Sequence, residues 1–86
     1  MASKTIQLNL VNGLHARPVS DIISFLEGRA GNFTINYDGN SGNCKSALSL
    51  LFLGIGPSAE VEIVVESDNA QADLEDFVAF LLALKE

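Results

Sequence analysis

The residues best suited to carry out a reaction lie in one short run, Gly13-Leu14-His15-Ala16-Arg17-Pro18. His15 is the single histidine of the chain. It stands where the hydrophobic period changes from that of a strand to that of a helix. Pro18 suits the first turn of a helix, where its missing N–H costs nothing. We therefore expect His15 to lie where the first helix begins.

A helix N-terminus would give this histidine a particular chemistry. The first backbone N–H groups have no acceptor within the helix, and the helix dipole places partial positive charge there. This field favours a neutral imidazole, whose ring nitrogen is a competent nucleophile. A phosphoryl group on His15 would lie beside the N–H groups of Ala16 and Arg17 and beside the Arg17 guanidinium. Stabilisation of an anion there is about 0.3–2 kcal/mol, which suits a carrier that must release the group again.

The same position has a second interpretation. A lone histidine at a helix start is more often a capping or packing residue than a nucleophile, so the residue types alone leave both roles open.

The elements that position this run follow from hydrophobic periodicity. Alternation of apolar and polar residues predicts strands at Ile6–Leu10, Phe33–Asp38, near Gly42–Cys44, and at Glu60–Glu66. Helical spacing predicts a helix from Pro18 to Gly28, another over Ala47–Leu53, and a third that ends at about Leu84. Asp38-Gly39-Asn40 has the composition of a hairpin turn. Ser46 is expected to cap the second helix, and Asp68 with Gln71 resembles a capping box for the third.

The predicted order is βαββαβα. Each strand has one polar face, which is typical of an antiparallel sheet that is covered on one side. We therefore predict an α+β open-faced sandwich: a four-stranded antiparallel sheet with three helices on one face. At 86 residues the chain is expected to form a single domain, residues 1–86.

Composition excludes several classes of function. Eleven acidic against five basic residues give a net charge of −6, which opposes binding to nucleic acid or to an anionic membrane. The single Cys44 cannot form an internal disulfide, and with one histidine it cannot build a typical zinc site. No apolar stretch approaches the roughly 20 residues that span a bilayer. We expect a cytoplasmic monomer that needs no metal or cofactor.

Two motifs resemble the HPr family, the histidine-containing phosphocarriers of the bacterial phosphoenolpyruvate-dependent sugar phosphotransferase system. The first is Asn12-Gly-Leu-His-Ala-Arg-Pro18, and the second is Lys45-Ser46 followed by an apolar helix that ends at Leu53-Gly54. The resemblance covers essentially the whole chain, and the family has the order of strands and helices predicted above.

The resemblance implies a definite function. His15 would accept a phosphoryl group on Nδ1 from phosphorylated Enzyme I, which takes it from phosphoenolpyruvate, and would pass it to a sugar-specific enzyme IIA. Arg17 and the amides of Ala16 and Arg17 would assist. The protein would then be a carrier component with a phosphohistidine intermediate rather than an independent enzyme.

Ser46 corresponds to the family's regulatory serine, which an ATP-dependent kinase phosphorylates in many Gram-positive bacteria. An HPr kinase and a transcriptional regulator would then be further partners. Serine is also a preferred helix cap, worth about 0.5–2 kcal/mol over alanine, so a purely structural role for Ser46 is the alternative.

The partner-binding residues are expected on the first two helices: Arg17, Ser20, Ser24, Ala47, Leu48, Leu51 and Phe52. The four apolar residues of this set cannot all be buried on so short a helix, so at least one or two should form an exposed apolar patch. Family members commonly carry lysines around the histidine, where this chain has Ser24, Glu27 and Ser49. Arg17 would be the main cation, with Lys45 close by. Loss of basic residues should lower association rate and salt sensitivity more than affinity.

Two further functions are consistent with these residues. One is a paralogous HPr-like carrier in a nitrogen-related or dedicated phosphotransferase chain. The other is a regulatory binding module that acts through Ser46 and the apolar residues without carrying phosphate; the intact His15, Arg17 and Pro18 oppose it.

Overall fold

The strands and helices follow one another in the order that the sequence predicts. The computed structural model describes residues 1–84, so residues 85 and 86 of the predicted domain lie outside the described part. The elements are β1 (Ala2–Leu8), α1 (Ala16–Leu26), β2 (Asn32–Tyr37), β3 (Asn40–Asn43), α2 (Ala47–Phe52), β4 (Ala59–Glu66) and α3 (Ala70–Leu82). Within residues 1–84, no helix is both long enough and apolar enough to cross a membrane. The predicted α+β class and the βαββαβα order are confirmed.

The strands form one antiparallel sheet in the order β1-β4-β2-β3. One of the two inner strands, β4, pairs with β1 on one side and with β2 on the other. Ile6 lies opposite Val61, and Ile35 lies opposite Ile63, so that apolar side chains line one face. The predicted four-stranded sheet with one covered face is therefore confirmed.

The opposite face of the sheet is polar. Glu62 lies between Thr5 and Asn36 across three strands. The amide Nδ2 of Asn36 donates to Glu62 Oε1 at 3.0 Å, and Ser41 Oγ donates to Asn36 Oδ1 at 2.5 Å. Glu62, Asn36 and Ser41 therefore form a chain of hydrogen bonds at the surface. The alternation of glutamates along β4 predicts this polar face.

The helices cover the apolar face and close the core. Val19, Ile22 and Leu26 of α1 and Leu74, Phe77 and Leu81 of α3 are buried against the sheet. The ring of Phe77 meets that of Phe33 edge-on, with centroids 5.4 Å apart. Cys44 is buried in the same core, and burial raises the pKa of its thiol to about 12. The thiol therefore stays protonated and acts as a small packing group.

The β2–β3 hairpin is tighter than the sequence predicts, and β1 begins and ends earlier in the chain. Asp38 and Gly39 both have positive φ, at 50° and 81°, so the hairpin closes with two residues in the manner of a type I′ turn. Pairing resumes at once, between Tyr37 and Asn40. As a result β3 begins at Asn40 rather than near Gly42. At the other end of the sheet, β1 runs over Ala2–Leu8, opposite Ala59–Val65, rather than over Ile6–Leu10.

The predicted capping box of α3 is wrong. Asn69, not Asp68, is the N-cap, and its side chain makes no capping hydrogen bond. Gln71 Nε2 instead donates to Glu75 Oε2 one turn along the helix, at 3.0 Å. A different local contact holds this turn, where Ser67 Oγ donates to Asp73 Oδ2 at 2.6 Å. The helix ends at Leu82, two residues before the predicted end.

Two loops meet at the start of α1. The N–H of Leu14 donates to the carbonyl of Ile55 at 2.9 Å, which joins the β1–α1 loop to the α2–β4 loop. Gly13 makes this approach possible, since its φ is +71° and a Cβ there would lie 2.4 Å from the Ile55 oxygen. A side chain at position 13 would therefore collide with backbone that has no room to move.

We predict that Gly13→Ala lowers the free energy of unfolding by at least about 2 kcal/mol, because it adds a backbone clash to the unfavourable positive φ. The matched control is Gly54→Ala. Gly54 also has positive φ, at +64°, but nothing lies within 4 Å of a Cβ there. The control should lose only about 1–2 kcal/mol. Urea unfolding of both variants measures the difference; equal losses would contradict the role of the loop contact.

Candidate functional site

His15 is the residue immediately before α1. It has extended backbone angles, φ −113° and ψ −169°, and its carbonyl accepts the N–H of Val19 at 3.0 Å. The helix begins at Ala16, which confirms that His15 lies where the first helix begins, although the periodicity placed the first helical residue at Pro18. Pro18 fits because it occupies a first-turn position, where its missing N–H has no intrahelical acceptor to lose.

The imidazole does not cap the helix. Although His15 occupies the N-cap position, its side chain makes no hydrogen bond to the amides of the first turn. The side chain is half-exposed. Of the two roles open at the sequence level, the structure thus removes the capping one.

The first turn of α1 suits an anion. Ala16 and Arg17 are exposed, and the helix itself offers no acceptor for their N–H groups. No acidic residue lies in this turn. The dipole of an 11-residue helix adds partial positive charge at the same point. A dianionic group on the His15 ring would meet backbone donors, and Arg17 supplies a full charge beside them.

Lys45 is not a second cation of this site. Its ammonium group donates to the carbonyl of Arg29 and, at 2.9 Å, to that of Gly31. It also lies 5.6 Å from the centroid of the Phe33 ring. These contacts hold Lys45 at the segment that follows the C-terminus of α1, the end opposite His15. The expectation that Lys45 lies close to the histidine as a supporting charge is therefore wrong.

Ser46 caps α2. Its Oγ accepts the N–H of Ser49 at 3.3 Å, and its carbonyl accepts that of Leu50 at 3.2 Å. The side chain is half-buried. The predicted structural role is confirmed, whereas the regulatory role stays a prediction.

A groove runs between α1 and α2 and begins beside His15. Its volume is about 270 Å³, and it is lined by Ala16, Val19, Ser20, Ile23, Ser24, Ala47 and Leu51. We call it the α1–α2 groove. It brings together four of the residues predicted to bind partners, Ser20, Ser24, Ala47 and Leu51.

Two more of the predicted partner residues, Leu48 and Phe52, lie on the same helix α2. Ala47, Leu48, Leu51 and Phe52, which we call the apolar patch, are all exposed, with 61% of Leu48, 41% of Leu51 and 79% of Phe52 accessible. The cause is the shortness of α2: its six residues bury only Leu50. The predicted exposure is confirmed. Binding of a partner by these residues stays a prediction.

Sequence reasoning missed the α2–β4 loop. Ile55 is buried and its carbonyl holds the N–H of Leu14, so this loop fixes the backbone that leads into His15. The available signal was one apolar residue between two glycines, Gly54 and Gly56. That pattern indicates a close backbone approach but not its partner.

Known proteins are similar to this chain in sequence and fold. The chain is similar to the HPr-like protein Crh of Halalkalibacterium halodurans, with 28% identity over 81 residues that cover 94% of this chain and 96% of the relative. It is also similar to the crystal structure of the phosphocarrier protein HPr from Bacillus anthracis, with a TM-score of 0.84 and 30% identity over 93% of this chain and 95% of that chain.

A further solved structure is Crh of Bacillus subtilis, which forms a domain-swapped dimer in its crystal. Its TM-score is 0.73, with 25% identity over 94% of this chain and 93% of that chain. The family model PTS-HPr, described as the phosphorylation site of the HPr component of the phosphotransferase system, matches residues 2–82. Because that match takes in nearly the whole chain, the protein belongs to the HPr family, the phosphocarriers of the phosphotransferase system.

Proposed function

We propose that His15 accepts a phosphoryl group from phosphorylated Enzyme I, whose donor is phosphoenolpyruvate, and passes it to a sugar-specific enzyme IIA. The observation that carries this proposal is the half-exposed His15 side chain at the start of α1, which does not cap the helix. The first-turn N–H donors therefore have a half-exposed imidazole beside them rather than a side-chain cap.

The transfer needs little from the protein beyond position and charge. The Nδ1 lone pair of a neutral His15 ring attacks phosphorus as the bond to the donor breaks, and the departing donor group keeps the electron pair of that bond. The transferred oxygens then face the amides of Ala16 and Arg17 and the Arg17 guanidinium. A stabilisation of about 0.3–2 kcal/mol at the helix start holds the group without trapping it, so the second transfer to enzyme IIA stays easy.

The proposal includes a cytoplasmic location and a monomeric state. The apolar patch then meets partner proteins rather than a second copy of the chain. The domain-swapped dimer of Crh from Bacillus subtilis provides the alternative state.

Similarity to Crh leaves a second candidate function open. In that alternative, the protein is a regulatory module that binds its target through Ser46 and the apolar patch and carries no phosphate. The intact first turn, with His15, Arg17 and Pro18, supports the carrier instead. A carrier in a nitrogen-related or dedicated phosphotransferase chain would use the same chemistry with other partners.

We predict that incubation with phosphoenolpyruvate and Enzyme I gives an acid-labile phosphate on the protein, measured by intact mass before and after acid treatment. His15→Ala should take up none. Arg17→Ala should fold normally and accept phosphate about tenfold more slowly, because about 1–2 kcal/mol of anion stabilisation is lost.

Arg29→Ala is the matched control for Arg17→Ala. Arg29 follows the other end of α1, where it stands over Phe25 and lies 3.8 Å from Asp76. Its removal should leave the transfer rate unchanged. Phosphate uptake by His15→Ala would overturn the proposed acceptor, and an unimpaired Arg17→Ala would remove Arg17 from the mechanism.

We further propose that an ATP-dependent HPr kinase phosphorylates Ser46 and that a transcriptional regulator recognises the product. The phosphate would add about −1.5 to −2 charges beside the apolar patch. Because a carboxylate or phosphate can still accept N–H groups at a helix start, the fold should tolerate it.

Ser46→Asp tests this regulation. We predict that it accepts phosphate from Enzyme I about tenfold more slowly, while its free energy of unfolding stays within about 1 kcal/mol of wild type, since Asp is also a good N-cap. Ser46→Asn keeps a neutral cap and should transfer at the wild-type rate. Equal rates for all three proteins would contradict a regulatory effect of charge at this position.

A further inference from the structure

The surface beside His15 combines exposed apolar side chains with neutral polar ones. Leu48 and Phe52 of the apolar patch project from α2. Along the α1–α2 groove, the polar members are the hydroxyls of Ser20 and Ser24. A surface of this kind gains its binding energy from apolar burial and from directed hydrogen bonds, not from charge.

Basic side chains are almost absent from this surface. Of the basic residues within the described 1–84, only Arg17, which follows Ala16 of the groove in the first turn of α1, lies next to it. Lys4 lies on β1, in a hollow that is lined by α3 residues. Arg29 stands 4.3 Å from the centroid of the Phe25 ring and faces Asp76 of α3, and Lys45 is held by the carbonyls of Arg29 and Gly31.

The groove itself is lined by no acidic residue, but the chain as a whole carries −6. Asp21 lines the hollow between α1 and α3, and Glu27 lines a separate hollow with Lys45. Arg17 is a cation next to the groove, but in the proposed function it neutralises the phosphoryl group. An acidic partner would therefore meet weak repulsion during approach rather than attraction.

We infer that this surface binds a phosphoryl-donor protein whose contact face is apolar, with an uncharged rim and no excess of acidic residues. The inference rests on the proposed carrier function and specifies its partner. Leu48 and Phe52 are the anchors, and the serine hydroxyls of the groove pair with neutral polar groups of the donor. Association then proceeds without electrostatic steering, at the roughly 10⁵–10⁶ M⁻¹s⁻¹ of neutral encounters.

The salt dependence of the association rate distinguishes this class of donor from an acidic one. Between about 25 and about 400 mM NaCl, the screening length falls from roughly 20 Å to roughly 5 Å. A steered pair loses much of its association rate over that range, whereas a pair that associates through apolar contacts does not.

The experiment measures the second-order rate of phosphate transfer from Enzyme I of Bacillus subtilis, used as the probe, across this salt range. We expect the wild-type rate to change less than about threefold or to rise with salt. Leu48→Ser and Phe52→Ser should each lower it about tenfold at every salt concentration. Leu82→Ser is the matched control, since Leu82 of α3 is equally apolar and 59% exposed, and it should have no effect.

A double variant, Ser20→Lys with Ser24→Lys, adds two cations at the rim of the groove. Ser3→Lys with Thr5→Lys adds the same number of cations on the opposite face of the sheet. The rim variant should acquire a rate that falls with salt, and the sheet variant should behave as wild type.

A wild-type rate that falls about tenfold with salt, together with unimpaired Leu48→Ser and Phe52→Ser, would overturn the inference and leave the carrier function intact. If neither the wild type nor the rim variant takes up phosphate at any concentration, the carrier function itself fails, and the inference falls with it. Uptake by the rim variant alone would support the inference, because the probe donor would then require the cations that this surface lacks.

Discussion

One backbone hydrogen bond, from Leu14 N–H to the carbonyl of Ile55, decides where α1 begins. It is possible only because Gly13 has positive φ and no side chain. With the loop held in this way, the helix starts at Ala16 and His15 lies just outside it. The site therefore depends on backbone geometry contributed by two distant parts of the sequence. Any reaction at the His15 ring depends in turn on the amides of the first turn of α1, whose direction this loop geometry sets.

The shortness of α2 explains the second property of the surface. A six-residue helix has room for one buried anchor, Leu50, and its other apolar side chains remain exposed. Ala47 and Leu51 of this patch line the α1–α2 groove together with Ala16 of the first turn of α1, so the apolar patch adjoins the residue next to His15. Ser46 caps the same helix, so its hydroxyl lies near this surface without a separate element to hold it.

Local patterns predicted most of the fold, and the exceptions have physical causes. The Asp38-Gly39 turn and the Ser46 cap are determined by adjacent residues, so the sequence was sufficient to predict them. The sequence also placed His15 at the start of α1, but not the exact first residue, Ala16, because Pro18 is compatible with several first-turn positions and the contact of Leu14 with Ile55 joins distant parts of the sequence. Asp68 is not the cap, since α3 begins at Ala70 with Asn69 directly before it. The side-chain contact of this turn is made by Ser67 and Asp73 instead. The position of the Lys45 ammonium depends on tertiary carbonyls that no local pattern encodes.

The central claim is that the start of α1 receives the phosphoryl group. Amide ¹H–¹⁵N spectra of the protein before and after phosphorylation by Enzyme I test it most directly. Our account predicts the largest changes at the amides of Ala16 and Arg17, with small changes at Ser49, whose N–H already binds Ser46 Oγ. Unchanged signals from Ala16 and Arg17 in a fully phosphorylated sample would contradict it.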